Sequence, residues 1–412
     1  METYDIGIIG GGPAGYTAAF LAAGQGKSVV LFEKEFLGGV CLNKGCIPTK
    51  AILHSSELYK KTLKSADFGI NVQGVSIDYK KVIERKNSVI ERLRKGLELG
   101  FKNLKIKVVN LEAKILSKNE IEADGNVFNC GQIICAVGSS PRVVKGLEFD
   151  HKFLLSSDDI LELEELPKSI LIIGSGAIGV EWARIFNNFG VETTVVELAQ
   201  NLLPIADIEV SKRLERNFKA EGIRFYTGTT VDKIDDKEIY LSNGEILEPE
   251  IVLVGAGRQP NEVAKIDGVR YTGDVAGEIQ LAHYAIKQAY EQIENIDFRK
   301  DLTPSIVYGS PEIAWVGKRE QDLTGEEYKK STLLVSSLGK AQCDGETEGF
   351  IKLLTQKDKI VGAHIVSSEA SAMLQQILIA IQFGVSVERL KEVCFPHPTY
   401  SEGIFESLFR LK

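Results

Sequence analysis

The strongest constraint on how this chain folds is a motif that occurs twice. Gly10-Gly-Gly-Pro-Ala-Gly15 follows the apolar run Tyr4–Ile9, and Gly174-Ser-Gly-Ala-Ile-Gly179 follows the apolar run Ser169–Ile173. Gly174, Gly176, Gly179 and Glu197 come after Gly10, Gly12, Gly15 and Glu33 at one constant offset of 164 residues. A single glycine-rich turn is weak grounds for anything. Here each copy leads into a helical stretch and then a second buried strand, Ser28–Phe32 or Thr193–Val196. Together they mark an internal duplication of a βαβ unit.

In such a unit the first Gly makes the tight turn and the second lets the backbone approach a pyrophosphate. The third lets the helix lie close to the strand, and the amide N–H groups that open the helix bind phosphate. Glu33 and Glu197 each stand 23 residues beyond the first Gly, suited to accept hydrogen bonds from a ribose. The chain is therefore expected to hold two dinucleotides. A carboxylate at 197 repels a 2′-phosphate, so the second site is expected to prefer NAD to NADP.

At 412 residues the chain is long enough for two to four domains. Apolar residues at helical spacing from Val82 to Phe101 predict a long amphipathic helix. The last hundred residues change style. Strand candidates at Ser305–Tyr308, Phe350–Leu354 and Ile360–Val366 surround a helix from Ala370 to Phe383 closed by Gly384, an α+β pattern without a nucleotide turn. A net charge of −8 argues against nucleic acid as a partner, and no apolar run approaches membrane-spanning length. The first strand begins at Tyr4, leaving no room for a targeting leader, and six cysteines in so long a chain are no secreted disulfide framework. A reducing cytosol is the expectation.

Directly after the first unit comes Gly38-Gly-Val-Cys-Leu-Asn-Lys-Gly-Cys-Ile-Pro-Thr-Lys50, which delivers Cys41 and Cys46 beside a bound nucleotide. Three readings stand. A zinc site needs four ligands, and no second Cys or His pair is near in sequence. Two thiols packed as small hydrophobes are the second. A redox disulfide exchanging two electrons with a hydride carrier is the third, and the one their place suits. It carries a condition: residues five apart on a regular helix cannot bridge, so the segment must be a loop or broken helix, which Gly45 and Pro48 permit. Cys130 and Cys135 share the spacing but sit in a probable strand, where an odd separation predicts opposite faces, about 16 Å apart, and inert thiols. Cys343 and Cys394 have no sequence partner. Lys50, one helical turn beyond Cys46, either shares a face with the thiol or is solvated. His397-Pro-Thr-Tyr-Ser-Glu402 offers a proton acceptor with a carboxylate to orient it, or simply a turn histidine.

Taken together these strings resemble the pyridine nucleotide–disulfide oxidoreductases, in their dihydrolipoamide dehydrogenase branch. The resemblance runs over nearly the whole chain. Besides the segments above it includes Ala136-Val-Gly-Ser-Ser-Pro141, Gly174–Glu181, Gly257-Arg-Gln-Pro-Asn261, Gly273-Asp274, Leu281-Ala-His283 and Pro311–Gly317. It implies an α/β fold: two Rossmann-like FAD/NAD(P)-binding domains plus a C-terminal α+β dimerisation domain. The expected boundaries are 1–145 (FAD), 146–261 (NAD), 262–302 (return to the FAD or central domain) and 303–412 (interface). FAD would lie on the first fingerprint and NAD on the second, with Gly138, Asp274, His283 and Gly257 also lining cofactor sites. Cys46 would face the flavin and Cys41 the substrate. Lys50 would pair with Glu181 near the flavin, and His397, oriented by Glu402, would be the acid–base, supplied across a homodimer. The implied activity is oxidation of protein-bound dihydrolipoamide with NAD⁺ through the Cys41–Cys46 disulfide, a role in cell redox homeostasis, with lipoyl domains as partners. No metal is expected.

Two rivals follow. An NADPH-dependent reductase of a small disulfide such as glutathione is opposed by Glu197. A flavoprotein carrying electrons without disulfide turnover is opposed by the full set Cys41, Cys46, His397 and Glu402. The sequence also departs from the family pattern twice. Only twelve residues separate Asn261 from Asp274, where the family carries a longer stretch, and Val137 stands where the family has Thr.

Overall fold

The computed structural model describes residues 2–412. In the first unit the strand Glu2–Ile9 lies at the centre of a sheet. Val29–Phe32 pairs with it in parallel on one side, followed by Lys107–Val109, and Asn126–Cys135 pairs in parallel on the other. Residues 6–9 and Val29–Phe32 are buried on both faces, the pattern of a covered parallel sheet. The crossover helix Pro13–Gly24 covers one face with Ala18, Ala19 and Ala22, small enough for Ala289 and Ile293 of the helix Ala282–Glu294 to close over them. An antiparallel hairpin, Lys114–Ser117 and Glu120–Ala123, extends the sheet beyond Asn126–Cys135.

The second unit repeats the scheme. Ser169–Ile173 is flanked in parallel by Glu192–Glu197 and Ile251–Val254, with Arg224–Thr227 and Leu154–Leu155 outermost. An antiparallel ribbon of Ser139–Pro141 with Arg258–Pro260 ties the two units together. The twelve residues after Asn261 suffice to bring the chain back: Arg270–Tyr271 adds in parallel beside Ile134–Cys135. The Tyr271 hydroxyl closes this connection, donating to Ala264 O at 3.0 Å and accepting from Ile266 N at 2.9 Å.

The C-terminal unit is an antiparallel sheet in the order Ser305–Val307, Glu312–Gly317, Lys359–Ser367, Phe350–Gln356, Lys329–Leu334, with the helix Ala370–Gln382 packed on it. Two of its strands carried no clear sequence signal. Lys329–Leu334 buries only Ser331 and Leu333, so its apolar content is low, and Glu312–Gly317 follows a turn proline. Lys352, fully buried, fixes this sheet to the second unit: its ammonium lies 2.8 Å from Asp207, 2.5 Å from Glu320 and 3.1 Å from Glu209. The predicted helix over 82–101 extends from Tyr79 to Asn103, capped by Asp78, which accepts from Lys81 N at 3.1 Å. No helix among the described residues is long and apolar enough to cross a membrane.

One expectation needs correction. Cys130 and Cys135 do lie on a single strand, but both enter the same apolar cluster instead of opposite faces. Cys130 Sγ sits against the side of Gly7 from which a Cβ would project, the side shared by Ile9, which pairs with Cys135. Between them stands Gly131, a residue that weakens strand regularity, and the Asn119 amide bonds both Cys130 O (2.8 Å) and Gly131 O (3.1 Å) there. The two thiols are free and buried, and burial raises both pKa values, that of Cys130 to about 11.

Candidate active site

The two glycine turns fold almost identically. Gly10 and Gly174 have φ of +101° and +98°, a region that strains any residue with a side chain. A Cβ on Gly15 would overlap Gly10 O, and one on Gly179 would overlap Gly174 O, so the third glycine is set by helix–strand contact. Gly12 and Gly176 cap their helices with φ of −75° and −67°. Space is open beside Gly176, while Gly12 meets only Gly39 Cα at 3.7 Å, so in both copies the helix-opening amides face a cradle fit for a diphosphate. The acids hold the turns. Glu33 accepts from Gly11 N and Glu35 N, each at 2.8 Å. Glu197 accepts from both the backbone and hydroxyl of Ser175 at 2.7 Å and from Ala199 N at 2.8 Å.

Gly138 (φ +75°) and Gly257 (φ +86°) each have open space where a side chain would project. Asp274 is met by the Ser139 hydroxyl at 2.6 Å, and Arg258 joins the group through Ser139 Oγ (3.0 Å) and Asp158 (3.0 Å). Ser139 and Arg258 lay inside strings read for their glycines, and nothing local marked their side chains. His283 has its Nε2 on the Pro304 carbonyl at 2.9 Å, so that nitrogen is the donor, and desolvation holds the ring's pKa below the ordinary histidine value.

Between the first turn and the thiols the chain makes a short helix, Gly39–Asn43, breaks at Lys44 and Gly45, and restarts at Cys46 in the helix Cys46–Leu63. The condition for a cysteine pair five residues apart is thereby met. Both cysteines are free and partly buried. Their interaction sets the two thiols apart in charge: Cys41 is pushed up, while Cys46 is brought down to about 7, chiefly by the neighbouring Cys41 and then by Lys50. Cys46 also opens a helix, whose free amides favour a thiolate.

Lys50 and Glu181 meet, Nζ lying 2.7 Å from Oε2 and 3.0 Å from Oε1. The Glu181 side chain is only 5% exposed, so its charge requires partners. It has a second one in the Tyr308 backbone N–H at 3.0 Å, and the Tyr308 ring lies 4.7 Å from the Lys50 ammonium. Three units thus meet here: the thiol helix, the second nucleotide helix and the first C-terminal strand. Tyr308 escaped sequence reasoning because its contribution is a backbone bond and a ring face that only the fold brings there.

His397 donates through Nδ1 to Glu402 Oε1 at 2.8 Å. Thr399 N donates to the other oxygen at 2.8 Å, and these bonds lower the Glu402 pKa. A carboxylate kept ionised favours the tautomer with the proton on Nδ1, leaving Nε2 as the free base. The His397 side chain is 77% exposed, so within one chain this base faces outward.

The family described as pyridine nucleotide-disulphide oxidoreductase matches residues 4–272, and the dimerisation domain of that family matches residues 303–408. The dihydrolipoyl dehydrogenase of Bacillus subtilis is 35% identical, with 98% of this chain and 97% of that protein covered. That comparison runs over 459 residues, more than this chain's 412, so the relative carries segments without counterpart here. The leghemoglobin reductase of Vigna unguiculata is also 35% identical, over 98% of this chain and 86% of its own. Among solved structures, LpdA from Mycobacterium tuberculosis superposes with a TM-score of 0.91 at 21% identity, covering 100% of this chain and 99% of its own. At that identity the likeness establishes the fold alone.

Proposed function

The chain belongs to the pyridine nucleotide–disulfide oxidoreductase family, and we propose that within it this protein is a dihydrolipoyl dehydrogenase. It works with FAD and NAD, transferring the two electrons of a dihydrolipoyl dithiol through Cys41 and Cys46. The observation that carries the reading is the placing of the two thiols across the helix break, with Cys46 opening a helix one turn before Lys50, whose ammonium is paired with Glu181.

In the oxidised enzyme Cys41 and Cys46 form a disulfide. His397, contributed by a second copy of the chain and held by Glu402, takes a proton from a dihydrolipoyl thiol at Nε2. The substrate thiolate attacks Cys41, and Cys46 leaves as the thiolate that its surroundings already favour. The second substrate thiol then displaces Cys41, releasing lipoamide as its own disulfide. Lys50, neutralised on one side by Glu181, stabilises the negative charge on Cys46. Bound FAD would accept the electron pair from Cys46 and deliver it to the nicotinamide. The Gly10–Gly15 turn, Glu33, Gly138, Asp274 and His283 would hold it; the Gly174–Gly179 turn, Glu197 and Gly257 would hold NAD. Since His397 faces out of its own chain, the working unit is a homodimer built through residues 303–412. The partners are lipoyl domains of 2-oxo acid dehydrogenase or glycine-cleavage systems, in the cytoplasm.

Purified protein should reduce NAD⁺ with dihydrolipoamide and should be inactive with NADPH plus glutathione disulfide. Activity only with the second pair would replace the reading by a small-disulfide reductase. Activity with neither would leave an electron carrier.

A further inference from the structure

The segment that carries the two cysteines is interrupted on both sides of Cys41. Gly38 and Gly39, which lead into it, have φ of +96° and +56°, and Gly45 breaks the helix before Cys46. Such a segment gains nothing from intrinsic helix preference. Its shape rests instead on Asn43, whose amide N–H groups donate to Leu37 O at 3.1 Å and Gly39 O at 2.8 Å. The Asn43 oxygen in turn accepts a 2.6 Å bond from Arg94 Nη2, which reaches in from the long helix Tyr79–Asn103. The guanidinium lies against the Phe36 ring, its central carbon 4.0 Å from the ring centroid. Its Nε is buried without a hydrogen-bond partner among the described residues. A cation placed this way, on a neutral amide and an aromatic face, loses hydration without a carboxylate in return. What it gains is a charge-assisted bond of fixed geometry to Asn43, the side chain whose amide bonds the loop backbone twice.

Resting on the reading of Cys41–Cys46 as the redox pair, we infer that Arg94 is a positioning residue for that pair. Acting through Asn43, it keeps Cys41 within reach of Cys46 and so raises the effective concentration of one thiol at the other. The tether favours the disulfide over the open dithiol, and it does so without touching sulfur, flavin or substrate.

The test is the thiol–disulfide equilibrium of the FAD-containing protein in glutathione buffers of fixed ratio. Two glutathione thiols reduce the protein disulfide to Cys41 and Cys46 thiols, with release of glutathione disulfide. Samples are acid-quenched and alkylated, and the peptide carrying both cysteines is weighed. Arg94→Ala should shift the equilibrium toward the dithiol by about tenfold, the scale of one lost charge-assisted hydrogen bond. FAD content and unfolding temperature should stay near wild type, and Arg94→Lys should recover most of the shift. Asn43→Leu, which removes the acceptor, should give the same shift, and Arg94→Ala should add nothing in that background. Asn43→Leu also stands in if Arg94→Ala does not fold. Shifts below about twofold, or toward the disulfide, would overturn the inference while leaving the redox pair intact. A wild-type protein that never forms the Cys41–Cys46 disulfide would overturn the redox reading as well.

Discussion

Cys41 and Cys46 are separated by the same number of residues as Cys130 and Cys135, and both pairs belong to the first nucleotide unit. The first pair straddles a break between two helices, with a lysine one turn on that is paired with a buried carboxylate. The second lies on one continuous strand, enclosed by Ile9, Phe32, Ile121 and Phe128, where burial pushes both thiols up. The contrast teaches that a thiol becomes a redox group through what is done to its charge. At 41 and 46 the fold lowers one pKa at the other's expense; at 130 and 135 it raises both.

The comparison breaks most sharply at Cys46. Cys46→Ser should lower dihydrolipoamide–NAD⁺ turnover by at least about 10³-fold, since the residual rate must come from binding and position alone, while FAD stays bound. A variant retaining more than a tenth of wild-type turnover would break it. His397→Gln comes next. Loss of a general base at a thiol should cost about 10²–10⁴-fold in turnover, with the loss greatest near neutral pH, where free thiol substrate is mostly protonated. Raising the pH should recover part of the loss.

A third test sharpens the account of charge. The neighbouring Cys41 is the largest influence holding Cys46 at about 7. Cys41→Ala should therefore move the midpoint of Cys46 alkylation upward, toward the ordinary thiol value of about 8.5. At pH 7.5 the rate of alkylation should fall, because a smaller fraction of Cys46 is thiolate. An unchanged midpoint would assign the depression to Lys50 and the helix terminus instead. The smallest effect is expected at the second pair. Cys130→Ala should leave turnover within about twofold and destabilise the fold by about 1 kcal/mol, measured by denaturant unfolding.

Much of this was legible in the chain because the nucleotide turns are local. Gly15 and Gly179 are required by a backbone carbonyl five residues earlier, and Gly10 and Gly174 by their own positive φ, so their spacing alone carried the βαβ units and the positions of Glu33 and Glu197. Strand alternation at Cys130 and Cys135 misled, since both side chains enter one apolar cluster. The Lys50–Glu181 pair spans 131 residues of sequence, and Tyr308 reaches it from 127 residues beyond Glu181. No local pattern encodes contacts of that length; the first was reached through resemblance and the second through the fold. Arg94 is the same case on a smaller scale, a charged position on an amphipathic helix whose partner lies 51 residues back.

The central claim is that one cysteine pair turns over and the other does not. FAD-loaded protein, alkylated in its native state before and after anaerobic addition of dihydrolipoamide, tests it directly when each cysteine is mapped by mass. Cys41 and Cys46 should be unlabelled before and labelled after, with NADH appearing once NAD⁺ is added and the pair returning to the unlabelled form. Cys130 and Cys135 should resist labelling throughout. Labelling of 41 and 46 that does not respond to dihydrolipoamide, or a response at 130 and 135, would contradict the account.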